Sequence, residues 1–407
     1  MASFLTMMTQ NTTTDKSELP FIPLAVPHLG GNEWKYVKEC LDTSWVSSAG
    51  LYVDRFEAKV ADYTKAGYGV AVVSGTAALH IALMTAGVRQ DDEVLVPTLT
   101  FIAPVNAVSY CGAHPVFIDS ESQTLNMDIS KLADFLENEC HVRGGELVNK
   151  STGRTVRAVL PVHLFGHPTD MDILYQTAQR YGLRVVEDAS QSIGGRYKNL
   201  MIGERGDITC FSFNGNKIVT TGGGGVIVTN NEAASTRARY LTTQAKDDPF
   251  EYIDHSIGFN YRLPNINAAL GLAQMEQLDG FIKRKRAIWE KYAAKLTDIP
   301  GLRIINEAAW AFSTYWTTNV LIDEKGFGTT ARILALALNE QRIQARLFWQ
   351  PIHLQKPYKN SQAYKVQIAE NLYKCGLSLP SSVGITDEEI DRVVSAVRNK
   401  QGNGKCV

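Results

Sequence analysis

From residue 69 onward, short apolar runs alternate with longer stretches in which apolar side chains recur every three or four positions. The runs at 69–73, 93–96, 115–118, 156–162, 184–187, 208–213 and 226–229 read as buried strands. The stretches at 76–86, 102–110, 129–139 and 170–181 read as amphipathic helices between them. Two further helices precede the alternation, one opening after Asn32 and one over 51–66. Strands separated by helices imply crossover connections and a mainly parallel sheet covered on both faces, with ligands bound beyond the carboxyl ends of the strands. Ser74-Gly75-Thr76, Glu187-Asp188 and the stretch from Ser212 to Lys217 all fall at such ends.

After Gln277 the pattern changes to a charged helix over 281–296, a Pro300-Gly301 break, short strands at 302–305 and 317–322, a helix over 330–341 and a last one near 388–398. The expected architecture is α/β. It has a large domain over 21–277, a smaller α+β domain over 278–407 and a disordered leader over 1–20. The leader has no basic start and a polar tail, which fits neither a signal peptide nor a membrane span.

Composition narrows the possibilities. With 41 Lys and Arg against 42 Asp and Glu, the chain has no general attraction to nucleic acid or anionic membrane. The run Lys283-Arg284-Lys285-Arg286 therefore reads as a solvated helix face. The six cysteines form no C-x-x-C pair, which argues against zinc or a disulfide framework and suits a reducing cytosol.

The chemistry centres on residues 211–225. An apolar strand ends in Ser212, delivers Lys217 to a site edge, and passes into Gly222-Gly223-Gly224-Gly225, where backbone can approach a ligand closely. A lysine whose pKa is lowered can form a Schiff base with a carbonyl. Ser74-Gly75-Thr76 opens a helix after a strand, a place for a phosphate, although a plain helix cap needs the same residues. Asp188 can hold a protonated ring nitrogen or simply cap the next helix. Phe101 follows another strand, where it can stack on a planar group or turn into the core. A phosphate cradle, a stacking ring, a partner for a pyridinium and an amine on one sheet edge are what a pyridoxal phosphate enzyme needs.

From about residue 22 to 398 the chain resembles the DegT/StrS family of nucleotide-sugar aminotransferases, of the aspartate-aminotransferase fold type I. The motifs are Trp45-Val46-Ser47-Ser48, Ser74 to His80, Pro97 to Phe101, Pro161 to Gly166, Glu187 to Gln191, Ser212 with Lys217, and Gly258 to Arg262. Within the family, Pro27 to Trp34, Asn214-Gly215-Asn216-Lys217 and Leu241 to Ala245 are most similar to the branch that makes bacillosamine and legionaminic acid precursors.

The resemblance implies that Lys217 bonds to the cofactor pyridoxal 5′-phosphate and moves the proton. It implies that Asp188 pairs with the ring nitrogen, Gln191 with the ring hydroxyl, and Phe101 with the ring face. Gly75, Thr76 and Ser212 would hold the phosphate, joined by Asn260 from a neighbouring subunit of a homodimer with shared sites. His163, Arg346 and His353 are the expected substrate contacts. For His163 a histidine bridging loops is the alternative, and for the loop at 349–353 a packed Trp-Pro turn. The expected reaction passes the amino group of L-glutamate to the C4 ketone of a UDP-2-acetamido-4-keto-6-deoxyhexose for a surface glycan, in the cytoplasm. Three rivals remain. A family dehydratase would carry histidine in place of Lys217. A dinucleotide oxidoreductase would need its glycines to follow a strand and open a helix. A non-catalytic protein on the same fold is the third.

Overall fold

The computed structural model describes residues 19–248 and 250–401. The leader expected over 1–20 lies outside the described residues up to position 18.

The seven expected strands form in the expected order: β1 (Tyr68–Val72), β2 (Glu93–Pro97), β3 (His114–Ile118), β4 (Val156–Val159), β5 (Arg184–Asp188), β6 (Ile208–Ser212) and β7 (Gly225–Thr229). With the short strand Ala363–Tyr364 they make one eight-stranded sheet, ordered β1-β7-β6-β5-β4-β2-β3 and then Ala363–Tyr364. Only β7 runs antiparallel to its neighbours. Helices cover both faces, so the strand interiors are apolar at nearly every position; Val70, Val72, Val94, Val96, Val159 and Val186 are all buried. The strand expected over 156–162 stops at Val159, because Pro161 brings no N–H to a ladder. Val162 then makes a single parallel bridge to Asp188.

The helix Gly75–Thr85 runs from β1 into the middle of the sheet and is buried on most of its surface, from Ala77 through Leu83. Helix Asn265–Met275 and helix Glu232–Thr242 were not foreseen. The first is buried nearly all round and the second is polar nearly all round, so neither shows the one-sided stripe that marks a helix in sequence.

Two buried features hold loops that carry motif residues. Asn265 fastens the stretch before helix Leu51–Thr64: its Nδ2 donates 2.7 Å to the Trp45 carbonyl, and its Oδ1 accepts from the Tyr52 amide at 3.0 Å. Gly50 lies against it at φ 151°, and a Cβ there would stand 2.4 Å from Asn265 Cγ. Glu57, also buried, accepts from the Ala71 amide at 2.7 Å, from Arg239 Nη2 at 2.7 Å, and from Arg262. This ties the Gly258–Arg262 loop to β1, where the Val73 amide donates to the Tyr261 carbonyl.

A second sheet is ordered Leu302–Ile304, Thr318–Ile322, Gly376–Leu379, Arg346–Leu347. It carries its own apolar cluster. The expected domain cut at 277/278 falls at the start of helix Leu278–Leu296, which serves both clusters. Leu278, Phe281 and Ile282 pack in the first, and Ile288, Tyr292 and Leu296 in the second. Ile22 packs in the second cluster beside Ile343, while Trp316, Phe348 and Ile352 return to the first.

Replacing Glu57 by Ala leaves two arginines and an amide without their acceptor. A loss of about 3 kcal/mol is expected, read as an earlier urea transition, with Glu57→Gln retaining part of it.

Candidate active site

Asp188 ends β5 and Ser212 ends the parallel neighbour β6, where Cys210 is the register partner of Asp188. Parallel pairing thus puts the carboxylate and the loop that bears Lys217 side by side. Asp188 is buried, and its Oδ1 accepts from the Ser190 amide at 2.9 Å. Burial pushes its pKa up; the hydrogen bonds from Ser190 and the charge of Lys217 oppose that. Burial pushes the Lys217 amine down to about 8, opposed by the charge of Asp188. An amine so placed is partly neutral near neutrality, which an ordinary lysine is not.

Lys217 Nζ lies 4.5 Å from the centre of the Trp316 ring. Trp316 was not anticipated from sequence, and its indole N–H donates 2.9 Å to the Asn216 carbonyl, next to the lysine. Its amide donates 3.0 Å to the Phe165 carbonyl. Phe165 adopts φ 55°, and its own amide donates 2.6 Å to Gln191 Oε1. That bond orients the Gln191 side chain with the amide nitrogen as the remaining donor.

On the other side, Ser74 caps helix Gly75–Thr85 by accepting from the Ala77 amide at 3.0 Å. The amides of Gly75 and Thr76 are therefore among the orphan donors of the helix start. A Cβ on Gly75 would stand 2.7 Å from Ser212 Cβ, 3.0 Å from Ser212 Oγ and 3.3 Å from Ser190 Oγ, so two hydroxyls converge on this helix end. A glycine is required for that approach, and the cap and the anion site coexist. Phe101 is 52% exposed, with its ring 6.3 Å from Trp349, so it does not turn into the core.

Two of the expected substrate contacts are engaged in hydrogen bonds within the protein. His163 is wholly buried, its Nδ1 accepts from the Thr169 amide at 3.0 Å, and its Nε2 meets Glu187 Oε2 at 2.9 Å. The accepting Nδ1 makes Nε2 the protonated nitrogen, so the ring has no free polar atom for a sugar. It braces the loop after β4, as the bridging alternative supposed. His353 has Nδ1 2.7 Å from Thr98 Oγ1 and Nε2 3.2 Å from Glu370 Oε1, and so fastens its loop to the end of β2. Trp349 in that loop stacks on Phe165 at 5.1 Å and 9°. Arg346 is exposed on the edge strand of the second sheet. Asn260 is exposed on the Gly258–Arg262 loop, bridged to Thr243.

The donor set fits pyridoxal phosphate. It has a helix start with two serine hydroxyls for a dianion, a buried carboxylate oxygen for a ring nitrogen, and a free amide nitrogen for a ring hydroxyl. The remaining elements are an exposed aromatic face and an amine of lowered pKa.

Comparison with known proteins agrees. Residues 27–398 match the DegT/DnrJ/EryC1/StrS aminotransferase family. The chain is 39% identical over 383 residues to the GDP-perosamine synthase of Caulobacter vibrioides, covering 94% of this chain and 98% of that one. It is 38% identical over 380 residues to the GDP-perosamine synthase of Escherichia coli O157:H7, covering 93% and 98%. Its fold superposes on a DegT/DnrJ/EryC1/StrS aminotransferase from Brucella abortus with a TM-score of 0.82 at 26% identity, covering 91% of this chain and 95% of that one. With both histidines and the lysine loop accounted for, the chain belongs to the DegT/DnrJ/EryC1/StrS family of fold type I, pyridoxal-phosphate-dependent sugar aminotransferases.

Proposed function

We propose that this protein transfers the amino group of L-glutamate to the C4 ketone of a nucleotide-linked 4-keto-6-deoxyhexose, making a 4-amino sugar for a polysaccharide. The observation that carries this reading is Lys217 at the end of β6, partly desolvated, with Asp188 as its opposing charge. A dehydratase of the family would lack that lysine.

Bound pyridoxal phosphate supplies the electron sink that makes the donor's α-proton removable. Lys217 would anchor it, and its Nζ would accept the donor's α-proton and return it during the transfer. A pKa of about 8 suits both directions of that traffic. The Asp188 carboxylate would keep the ring nitrogen protonated, and burial would make that pair strong because water does not compete for it. The Gln191 amide nitrogen would donate to the ring hydroxyl. The amides of Gly75 and Thr76 with Ser212 Oγ would hold the phosphate. Phe101 would cover one ring face, and Trp349 extends the aromatic wall beside it.

Asn260 lies on an exposed loop, which supports its reaching the phosphate of a second copy in a homodimer. Arg346 is the remaining candidate for the nucleotide's phosphates.

For the nucleotide, two observations favour different partners. The motif at 214–217 favours a UDP-2-acetamido sugar, while relatives named GDP-perosamine synthase favour a GDP-linked one. Offering both 4-keto sugars to the glutamate-loaded enzyme and weighing the amino-sugar products decides between them. Nucleotide sugars and the free cysteines Cys40, Cys111, Cys140, Cys210 and Cys375 suit the cytoplasm. Among the described residues no helix is long and apolar enough to cross a membrane.

Borohydride reduction of the protein with pyridoxal phosphate is expected to label the Lys217 peptide. Lys217→Ala is expected to lose the label and to lower turnover ~10³-fold or more. A label on another lysine, or a variant with full turnover, sinks the assignment. Gly75→Ala places a methyl among Ser212 and Ser190, and its dissociation constant for pyridoxal phosphate is expected to rise on the order of tenfold. Equilibrium dialysis measures this; an unchanged constant removes Gly75 from the cradle.

A further inference from the structure

Lys285 takes no part in the mechanism above, and its environment is unlike that of the other charges on its helix. Arg284 and Arg286 are half-buried and each has a carboxylate partner, Asp387 at 3.4 Å and Glu307 at 2.8 Å. Lys285 turns inward and is 3% exposed. Its Nζ donates 2.5 Å to the Trp316 carbonyl and also to the Ser381 carbonyl. The expectation that residues 283–286 form one solvated face is corrected at this position. No carboxylate pairs with Lys285 among the described residues. The groups that meet its amine are the two carbonyls; two turns along the helix, the Tyr292 hydroxyl donates 3.0 Å to the Pro380 carbonyl, next to Ser381. An ammonium held without a counter-ion is expensive, and burial lowers its pKa to about 7.

What that cost secures is visible in the contacts. Helix Leu278–Leu296 joins the two apolar clusters, and Lys285 sits where its packing passes from Ile282 in one to Ile288 in the other. Of the two carbonyls it holds, one belongs to Trp316. That residue is also pinned at its amide by Phe165 and at its indole N–H by the Asn216 carbonyl. The ring so fixed is the one 4.5 Å from Lys217 Nζ.

We propose that Lys285 is a positioning residue for Lys217, acting through Trp316: by fastening the Trp316 carbonyl it keeps the indole face against the catalytic amine. The inference rests on the reading of Lys217 as the cofactor's anchor, but the ring contact is a property of the protein without cofactor. An aromatic face favours the charged amine. Losing the ring contact therefore lowers the pKa of Lys217. Losing a neighbouring positive charge acts in the opposite sense and raises it. The sign separates positioning from direct repulsion.

The test is the pH dependence of Lys217 acetylation in the cofactor-free full-length protein, read peptide by peptide by mass spectrometry. In the native protein the midpoint is expected at about 8. Trp316→Leu and Lys285→Met are each expected to lower it by about half a unit or more. The double variant should fall no further than the larger single effect, because both act through one contact. A midpoint that is unchanged or raised in Lys285→Met, or two shifts that add, overturns the proposal. Circular dichroism and melting check each fold. If Lys285→Met does not fold, Lys285→Gln, which keeps a donor for one carbonyl, carries the same comparison, and Trp316→Met stands in for Trp316→Leu. Borohydride capture on the native protein is the separate control. Its failure removes Lys217 as the anchor while leaving the midpoints to decide the ring contact.

Discussion

The opposition of charge between Asp188 and Lys217 at adjoining strand ends is the constraint on which the rest of the structure depends. Taken alone, burial would discharge both groups, raising the pKa of the carboxylate and lowering that of the amine. Each limits the other's shift, with the Ser190 hydrogen bonds adding to the restraint on Asp188, and the Lys217 amine is held at about 8. That balance needs two strands that are parallel, adjacent and ended in register, which in turn needs crossover helices on both faces and apolar strand interiors. The sheet from β2 to β6 supplies this, and the reversal comes only at β7, where the glycine run turns the chain back beside β6. The fold is thereby a consequence of where two side chains must meet.

Much of this was legible in the sequence because it rests on local patterns. Apolar runs between amphipathic stretches report a doubly covered parallel sheet, and small polar residues at their ends report a ligand edge. Gly75, Asp188, Ser212 and Lys217 were singled out on that basis, Gln191 came from the family resemblance, and the fold collects them on one sheet edge. Trp316 was hidden because nothing at its own position distinguishes it from any other apolar residue of Tyr315-Trp316-Thr317. It becomes part of the site through the Phe165 carbonyl, the Asn216 carbonyl and the Lys285 amine, each far away in the chain. The two histidines show the opposite limit. Motif membership draws attention to them, yet whether a ring nitrogen is free depends on hydrogen bonds to Thr169, Glu187, Thr98 and Glu370 that no spacing reports. Lys285 misled because a run of four basic residues on a helix samples every direction, and at least one of them faces inward.

The structure also separates residues that touch the site from residues that hold what touches it. Glu57 and Asn265 are buried and make no hydrogen bond to Lys217 among the described residues, but one fixes the loop that bears Asn260 and the other the loop that bears Trp45. Large apolar side chains stand exposed on the segments they brace or adjoin, among them Trp34, Trp45, Tyr252 and Ile257. Such side chains on backbone held by buried ion pairs and amide bonds are a surface that the proposed homodimer would use. In that assembly, apolar side chains on a pre-ordered backbone would lose little conformational freedom on association, so more of their burial would appear as affinity. Rigid backbone with exposed apolar side chains is thus the same economy at the surface that Trp316 and Lys285 practise inside. A costly group, a solvent-facing ring or an unpaired ammonium, is tolerated because it fixes the position of another that chemistry uses.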